Sequence, residues 1–386
     1  MKSLRTMPTR RLVALLALCA VVLVAGAVAV AAQGGSGTKP PPEPLAQALH
    51  DALAAQEPQG ISADISFTNK LFPSGALLGQ SGSALETGAS GRLWANASGG
   101  RLELQSDSGD VQITWNDTKV TVYDASSNTA YVATLPQQSQ PAQTTHAAPT
   151  LDEITSFLTK LGSHWAVSGA DPSNVGGEEA YTVTVSPKTG AGLLGSAELA
   201  WDALHGTPLR LAVYARGSSS PVLALEAKDI SFGPVAESDI AITPPAGAKI
   251  VDLSQHSTGT SGSGTAPVSG LAAVQAAVPF TVAAPDTLAG LARQDVRLVG
   301  PADSRSVVVV YGEGLGAILV VERPADTAKH GGPLGALPTV KLGSATANEL
   351  ATPLGTVLTW DAGGVSYVLA GSLTSSAAEA AANGLG

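Results

Sequence analysis

Cysteine is all but absent: Cys19 stands alone among 386 residues. A single thiol excludes an intramolecular disulfide, a cysteine-rich zinc site and a C-x-x-C redox pair. Charge is scarce too, at 13% of residues, roughly half the usual share. Positive charge is the scarcer sign, with 21 basic against 31 acidic residues. Four of the basic residues, Lys2, Arg5, Arg10 and Arg11, precede residue 12, so the rest of the chain holds 17 basic against 31 acidic groups and a formal charge of −14. A body this acidic lacks the basic face that meets phosphates, which argues against nucleic acid as a partner. Histidines stand at 50, 146, 164, 205, 256 and 330, none with a partner at metal-ligand spacing. What is present is apolar and turn-rich: 44% hydrophobic residues, 43 glycines and 25 prolines. That content excludes a charge-driven disordered chain and suits many short strands joined by turns.

The longest apolar run lies at the N-terminus. Leu12–Ala32 is 21 residues without a charge, behind Arg10 and Arg11. As a helix it would span about 31 Å, enough for a bilayer core. The basic flank keeps the N-terminus in the cytoplasm and exports the acidic body. We therefore expect residues 1–32 to form a single-pass transmembrane anchor. The alternative is a cleaved signal peptide, with Ala29-Val30-Ala31 as its processing site. Lipidation of Cys19 is disfavoured, because Leu18 precedes it where a small residue is needed. Either way the body works on the extracytoplasmic side of the cell membrane.

The chain is long enough for two domains. Gln33–Pro42, QGGSGTKPPP, reads as a tether. Ser257–Gly270, STGTSGSGTAPVSG, reads as a flexible linker between residues 43–256 and residues 271–386. The first domain opens on a helix with Leu45, Leu49 and Leu53 at i, i+4 and i+8. Strand alternation follows at Ile61–Phe67, Leu102–Leu104, Val111–Trp115, Val120–Val122 and Tyr131–Ala133. Thr150-x-x-Glu153 caps a second helix whose stripe is Leu151, Ile154, Leu158 and Leu161. Further strands read at Glu179–Pro187, Ser196–Asp202, Pro208–Tyr214 and Val222–Phe232. The pattern is one large antiparallel sheet with two helices available to cover its apolar face. The second domain is a smaller, strand-rich α+β unit with a last helix capped at Ser376-x-x-Glu379.

No catalytic constellation emerges, and we expect neither an enzyme nor a cofactor. Gly312-x-Gly314-x-Gly316 precedes the strand pattern AILVVE rather than a helix, so it reads as a hairpin turn and not as a phosphate loop. Adjacent Glu178 and Glu179 point to opposite sides of a strand. Asn96-Ala97-Ser98 and Asn116-Asp117-Thr118 fit the glycosylation pattern and also read as turns. What remains is the apolar sheet face. Either it is covered incompletely and leaves a groove, or its side chains fill a core; strand alternation alone does not separate the two.

The order of segments in the first domain resembles the LolA-like superfamily. That superfamily includes periplasmic lipoprotein carriers, lipid-carrying lipoproteins of mycobacteria and the RseB/MucB regulators of envelope-stress sigma factors. TKVTVYDASSNTAYVATLP resembles its central hairpin, with Tyr123-Asp124 at the turn. GGEEAYTVTVSPK resembles its strand into a Pro-Lys turn, HGTPLRLAVY its Gly-x-Pro-x-Arg strand entry, and ITPPAGAKIVD its closing segment. The resemblance covers about residues 43–255. It implies an unclosed antiparallel half-barrel with covering helices and a groove that holds acyl chains of lipids or lipoproteins. The implied lining is Ile65, Phe67, Leu102, Leu104, Ile113, Trp115, Val120, Val122, Val183, Val185, Leu211 and Val213. Two functions follow from it: a lipid or lipoprotein carrier at the membrane, or an envelope-stress regulator that binds a membrane protein.

Overall fold

The computed structural model describes residues 37–72, 83–135, 148–188, 192–253, 268–300, 305–325 and 337–385. The expected membrane segment and most of the expected linker lie outside these residues. Among the described residues, no helix is long and apolar enough to cross a membrane. Two compact units divide the chain; the first takes in nearly all described residues from Gly37 to Leu253, the second those from Val268 onward.

The first unit is mainly β. Its elements are α1 (Leu45–Ala54), β1 (Gly60–Asn69), α2 (Ala84–Thr87), β2 (Ala89–Asn96), β3 (Gly99–Ser106), β4 (Gly109–Asn116), β5 (Lys119–Asp124) and β6 (Thr129–Thr134). There follow α3 (Leu151–His164), β7 (Trp165–Val167), β8 (Asp171–Val175), β9 (Glu178–Pro187), β10 (Leu194–Asp202), β11 (Pro208–Ala215), β12 (Leu223–Phe232), α4 (Glu237–Ile240) and β13 (Lys249–Asp252). All thirteen strands join one sheet in the order β13-β6-β5-β4-β3-β2-β1-β12-β11-β10-β9-β7, with β8 also on β9. The sheet is unclosed, since it ends on β13 and β7. From β6 through β1 to β11 the pairings are antiparallel. The exception to the expected antiparallel order is β13, which lies parallel to β6 with Val251 opposite Tyr131.

Alternation gives this sheet two unlike faces. Ser62, Asp64 and Ser66 share a side with Trp94, Arg92 and Ser90, and that side continues through Arg101, Glu103 and Gln112. Arg92 pairs with Asp64 at 2.9 Å, Arg101 pairs with Glu103, and the Arg101 guanidinium lies 4.9 Å over the Trp94 ring. The other side is apolar. The expectation that two helices lie across it needs correction. Only α1 does so as expected: Ala48 is buried with Tyr181, Val183 and Trp201, and Leu45, Leu49 and Ala52 pack beside it. Helix α3 packs beside α1 and β7. It buries Ile154 but leaves Leu151 and Phe157 exposed. The second cover is α2, a single turn that the sequence reading missed. It sits over β1, β3 and β4, and a Ser83–Glu86 capping box holds it.

The second unit contains α5 (Leu271–Ala276), β14 (Thr287–Leu288), β15 (Leu291–Val299), β16 (Ser306–Tyr311), β17 (Ile318–Pro324), β18 (Thr339–Leu342), β19 (Ala345–Thr352), β20 (Gly355–Ala362), β21 (Val365–Gly371) and α6 (Ser375–Asn383). Its sheet runs β14-β15-β16-β17-β21-β20-β19-β18. Val307, Val309, Ile318, Val320, Leu358 and Leu369 form its fully buried centre, closed by Ala378, Ala381 and Ala382 of α6. The cap of α6 is Thr374, whose hydroxyl accepts the Ala377 N–H, and not Ser376.

Candidate functional site

Strand register sorts the apolar face of the first unit into rows. The row nearest the end of the sheet where β1 begins joins Ile61, Ala95, Gly100, Trp115, Val120 and Ala133. The next joins Ala63, Leu93, Leu102, Ile113, Val122 and Tyr131. A third joins Ile65, Gly91, Leu104 and Val111, and Phe67 opens a fourth opposite Ala89.

Burial deepens along these rows. In the first, Ile61, Trp115, Val120 and Ala133 are all half-buried. In the second, Ala63, Leu102 and Ile113 are buried, Val122 is half-buried and Tyr131 is 38% exposed. In the third, Ile65, Leu104 and Val111 are all buried, Leu104 at 1% exposure, and Phe67 beyond them is buried as well. The cause is α2: Ala84 is fully buried in the cluster of Ile65, Phe67, Leu104 and Val111, and Leu85 packs on it. One end of the apolar face is therefore a closed core, and the other is a half-open shelf on β4, β5 and β6. Two glycines shape it. A Cβ at Gly91 would meet the Glu103 carbonyl, and one at Gly100 would meet the indole of Trp115, which lies across that position.

The twelve residues named from the sequence fall as follows. Ile65, Phe67, Leu102, Leu104 and Ile113 belong to the buried cluster, and Trp115, Val120 and Val122 pack at its edge. Leu211 and Val213 lie on the same face, because Leu211 pairs with Leu225 opposite Phe67, and Val213 pairs with Leu223. Val183 belongs to the separate cluster under α1, with Val185 half-buried two residues on. The structure thus brings eight of the twelve together around β1 and β3–β5 and sets Val183 apart. Tyr131, Leu93 and Val111 were missed. The hairpin between β5 and β6 carries the signal for Tyr131, since its register places Tyr131 opposite Val122.

Ionisable groups gather elsewhere. On the polar side, Arg210 Nε lies 2.8 Å from Glu198 Oε1 and Arg210 Nη1 2.6 Å from Glu226 Oε2, while Arg210 Nη2 donates to the Tyr214 hydroxyl. Burial pushes the Glu198 carboxyl up from its ordinary pKa, and the Arg210 guanidinium pulls it back. In the turn after β10, Asp202 Oδ1 accepts the His205 backbone N–H and lies 2.8 Å from His205 Nδ1, while the imidazole packs at a tilt 4.1 Å from the Phe232 ring. This pair closes a turn. Among the described residues, no group of three or more His, Cys, Asp or Glu side chains is placed to hold a metal ion. A shallow polar hollow of about 430 Å³ lies at the two turns lined by Ala97, Ser98, Asn116, Asp117 and Thr118. Asn96 and Asn116 there accept the backbone N–H groups of Ser98 and Thr118, so both glycosylation-type sequences are Asx turns.

No family model matches the chain, and no curated protein matches it. Among solved structures, the chain is similar to a structure of the Pseudomonas aeruginosa MucA/MucB complex, at 15% identity over 87% of this chain and 95% of that one, with a TM-score of 0.42. It is similar to an uncharacterised conserved protein of Thermus thermophilus, at 12% identity over 54% of this chain and 96% of that one, with a TM-score of 0.31. A LolA superfamily protein of Nitrosomonas europaea matches at 10% identity over 52% of this chain and 98% of that one, with a TM-score of 0.21.

Proposed function

We propose that the first unit binds an acyl chain of a lipid or lipoprotein without altering it, on the extracytoplasmic side of a membrane in which Leu12–Ala32 is anchored. One observation carries this reading: the apolar face is sealed under α2 at one end and left half-open over Trp115, Val120, Val122 and Tyr131 at the other. An apolar shelf continuous with a core is a surface that gains by being covered, and an acyl chain covers it without needing a polar partner. About ten buried methylenes at about 0.8 kcal/mol each contribute about 8 kcal/mol, which offsets the lower part of an association cost of about 4–15 kcal/mol. The buried ionisable groups have partners of their own: Arg210 holds Glu198 and Glu226, and Asp202 holds His205.

The test is binding of a fluorescent fatty acid, with mass spectrometry of lipids extracted from the purified protein. Val120→Glu places a carboxylate on the half-open shelf, where water still reaches it. The variant is expected to stay folded by circular dichroism and to lose at least about tenfold in affinity, the equivalent of about 1.4 kcal/mol. A wild-type protein that binds no lipid, or a folded variant that binds normally, defeats the reading. A stoichiometric protein partner recovered in place of lipid would favour the regulator reading.

A further inference from the structure

We infer that the half-open shelf opens toward the very bilayer that holds residues 12–32, so that the acyl chain it takes belongs to a lipid of that same membrane. The inference rests on the acyl-chain and anchor readings above.

Its basis is the path of the chain before α1. The sequence suggests that Gln33–Pro42 is a tether, flexible and then stiff, but the described part of it is strapped to the first unit. Asn174 Nδ2 donates to the Thr38 carbonyl at 3.0 Å, and the Tyr181 hydroxyl donates to the Pro41 carbonyl at 2.7 Å. Pro40 is buried, and Glu43 forms a β-bridge with Ala170. Only residues 33–37 separate Ala32 from the first held residue, Thr38. Fully extended, the six Cα steps from Ala32 to Thr38 reach no more than about 22 Å. Thr38 is therefore never farther than that from the end of the apolar run.

Thr38 marks one particular end of the sheet. Asn174 Nδ2 also donates to the Gly177 carbonyl, in the turn from β8 to β9. Pairing of Asp202 with Ala180, and the Ala203 N–H donated to the Glu179 carbonyl, put the β10–β11 turn at that end as well. The His205 ring packs on Phe232, which pairs with Ile61 at the start of β1. From there register carries the same end through Asn96, Gly99 and Asn116. This is the end at which Trp115 and Val120 form the half-open row, whereas α2 seals the far end. It also holds Leu204, the most exposed large apolar side chain described, at 75%. Exposed Asp117, Glu179 and Glu237 outnumber Lys39 and Lys119 there, so the contact suits a zwitterionic surface reached through Leu204 better than an anionic one.

The experiment uses the full chain reconstituted in phosphatidylcholine vesicles, with Cys19→Ser and a single fluorophore on Leu204→Cys or, at the opposite end of the sheet, on Ser127→Cys. Headgroup spin-labelled lipid is expected to quench the probe at residue 204 at least threefold more than the probe at residue 127. A thirty-residue Gly/Ser spacer inserted after Gly34 is expected to slow uptake of a fluorescent phospholipid from the host vesicle severalfold, while binding of soluble fluorescent fatty acid stays unchanged. Equal quenching at the two sites, or uptake indifferent to the spacer, overturns this inference; normal fatty-acid binding in the same samples then leaves the acyl-chain reading standing. A membrane-derived protein whose N-terminus begins after Ala32, or a chain that binds no fatty acid, overturns the earlier reading and this one with it.

Discussion

Glu322 shows how much one residue can decide. Its side chain is fully buried in the second unit; Oε2 accepts the Ala283 N–H at 3.0 Å, while Oε1 has no hydrogen-bond partner. Burial pushes its carboxyl above the ordinary value of 4.5, against the pull of that backbone N–H. Tyr311, fully buried nearby, has its phenol pushed up to about 12, chiefly by burial, with Arg293 opposing and Glu322 adding. The folded state thus keeps a proton on Glu322 where the unfolded chain has lost it, so stability falls as pH rises from about 4.5 toward the raised value. Glu322→Gln imitates the protonated form. It is expected to raise the thermal midpoint at pH 8, with the gain fading by about pH 4, as followed by circular dichroism melts across that range. In the first unit the contrast lies between closed core and shelf. Leu104→Glu buries an unpaired carboxylate at a site 1% exposed and is expected to cost more than about 4 kcal/mol, read by urea denaturation. Gly100→Ala is the subtler change. Its methyl group displaces the Trp115 indole, and the expected outcome is an intact far-ultraviolet spectrum with shifted tryptophan emission and fatty-acid affinity reduced severalfold.

At the scale of elements, local signals were the ones the sequence displayed well. Thr150 and Glu153 form the capping box that their spacing suggests, each side chain meeting the other's backbone N–H. Thr150→Ala is expected to cost about 1 kcal/mol, seen as a lower denaturation midpoint. The hairpins from β4 to β6 were legible because alternation and Asn-Asp or Asp-Ala-Ser turns agree there. Elements stabilised by distant partners were not legible. Helix α2 is one turn long; Ser83-x-x-Glu86 is a capping signature that was passed over, but a single turn lasts only because Ala84 drops into the core with Leu104. Strand β8, DPSNV, carries Pro172 at its second position and holds its place through pairing with β9. Leu151 misled in the other direction. It heads the stripe read for α3 yet stays exposed beside buried Ile154, so the stripe overstated how much of the sheet that helix covers. The shelf followed the same rule. Its strand parity was readable from alternation, but which rows are closed depends on where α2 sits over the sheet, and that was not.

For the molecule as a whole, the strap at Thr38–Glu43 turns an expected leash into a fixed attachment. Each of its two hydrogen bonds to Asn174 and Tyr181 is worth about 1 kcal/mol. Asn174→Ala combined with Tyr181→Phe is expected to expose residues 37–43 to limited proteolysis at least about fivefold faster, while the melting of the β-sheet falls only slightly. A double variant cleaved at the wild-type rate would show that packing of Pro40 alone holds the segment. The pairing of β1 with β12 has a consequence of another kind. It joins Ile61 to Phe232 in the middle of the sheet, so strands from the two ends of the unit's sequence are neighbours. A chain emerging from the ribosome cannot complete its sheet until β12 arrives, and until then β1 and the apolar rows beside it have an open edge. Pairing over so long a loop makes folding slow, and the half-made sheet is the species most prone to aggregate. Whatever shields the early strands must therefore last for as long as the later ones take to follow.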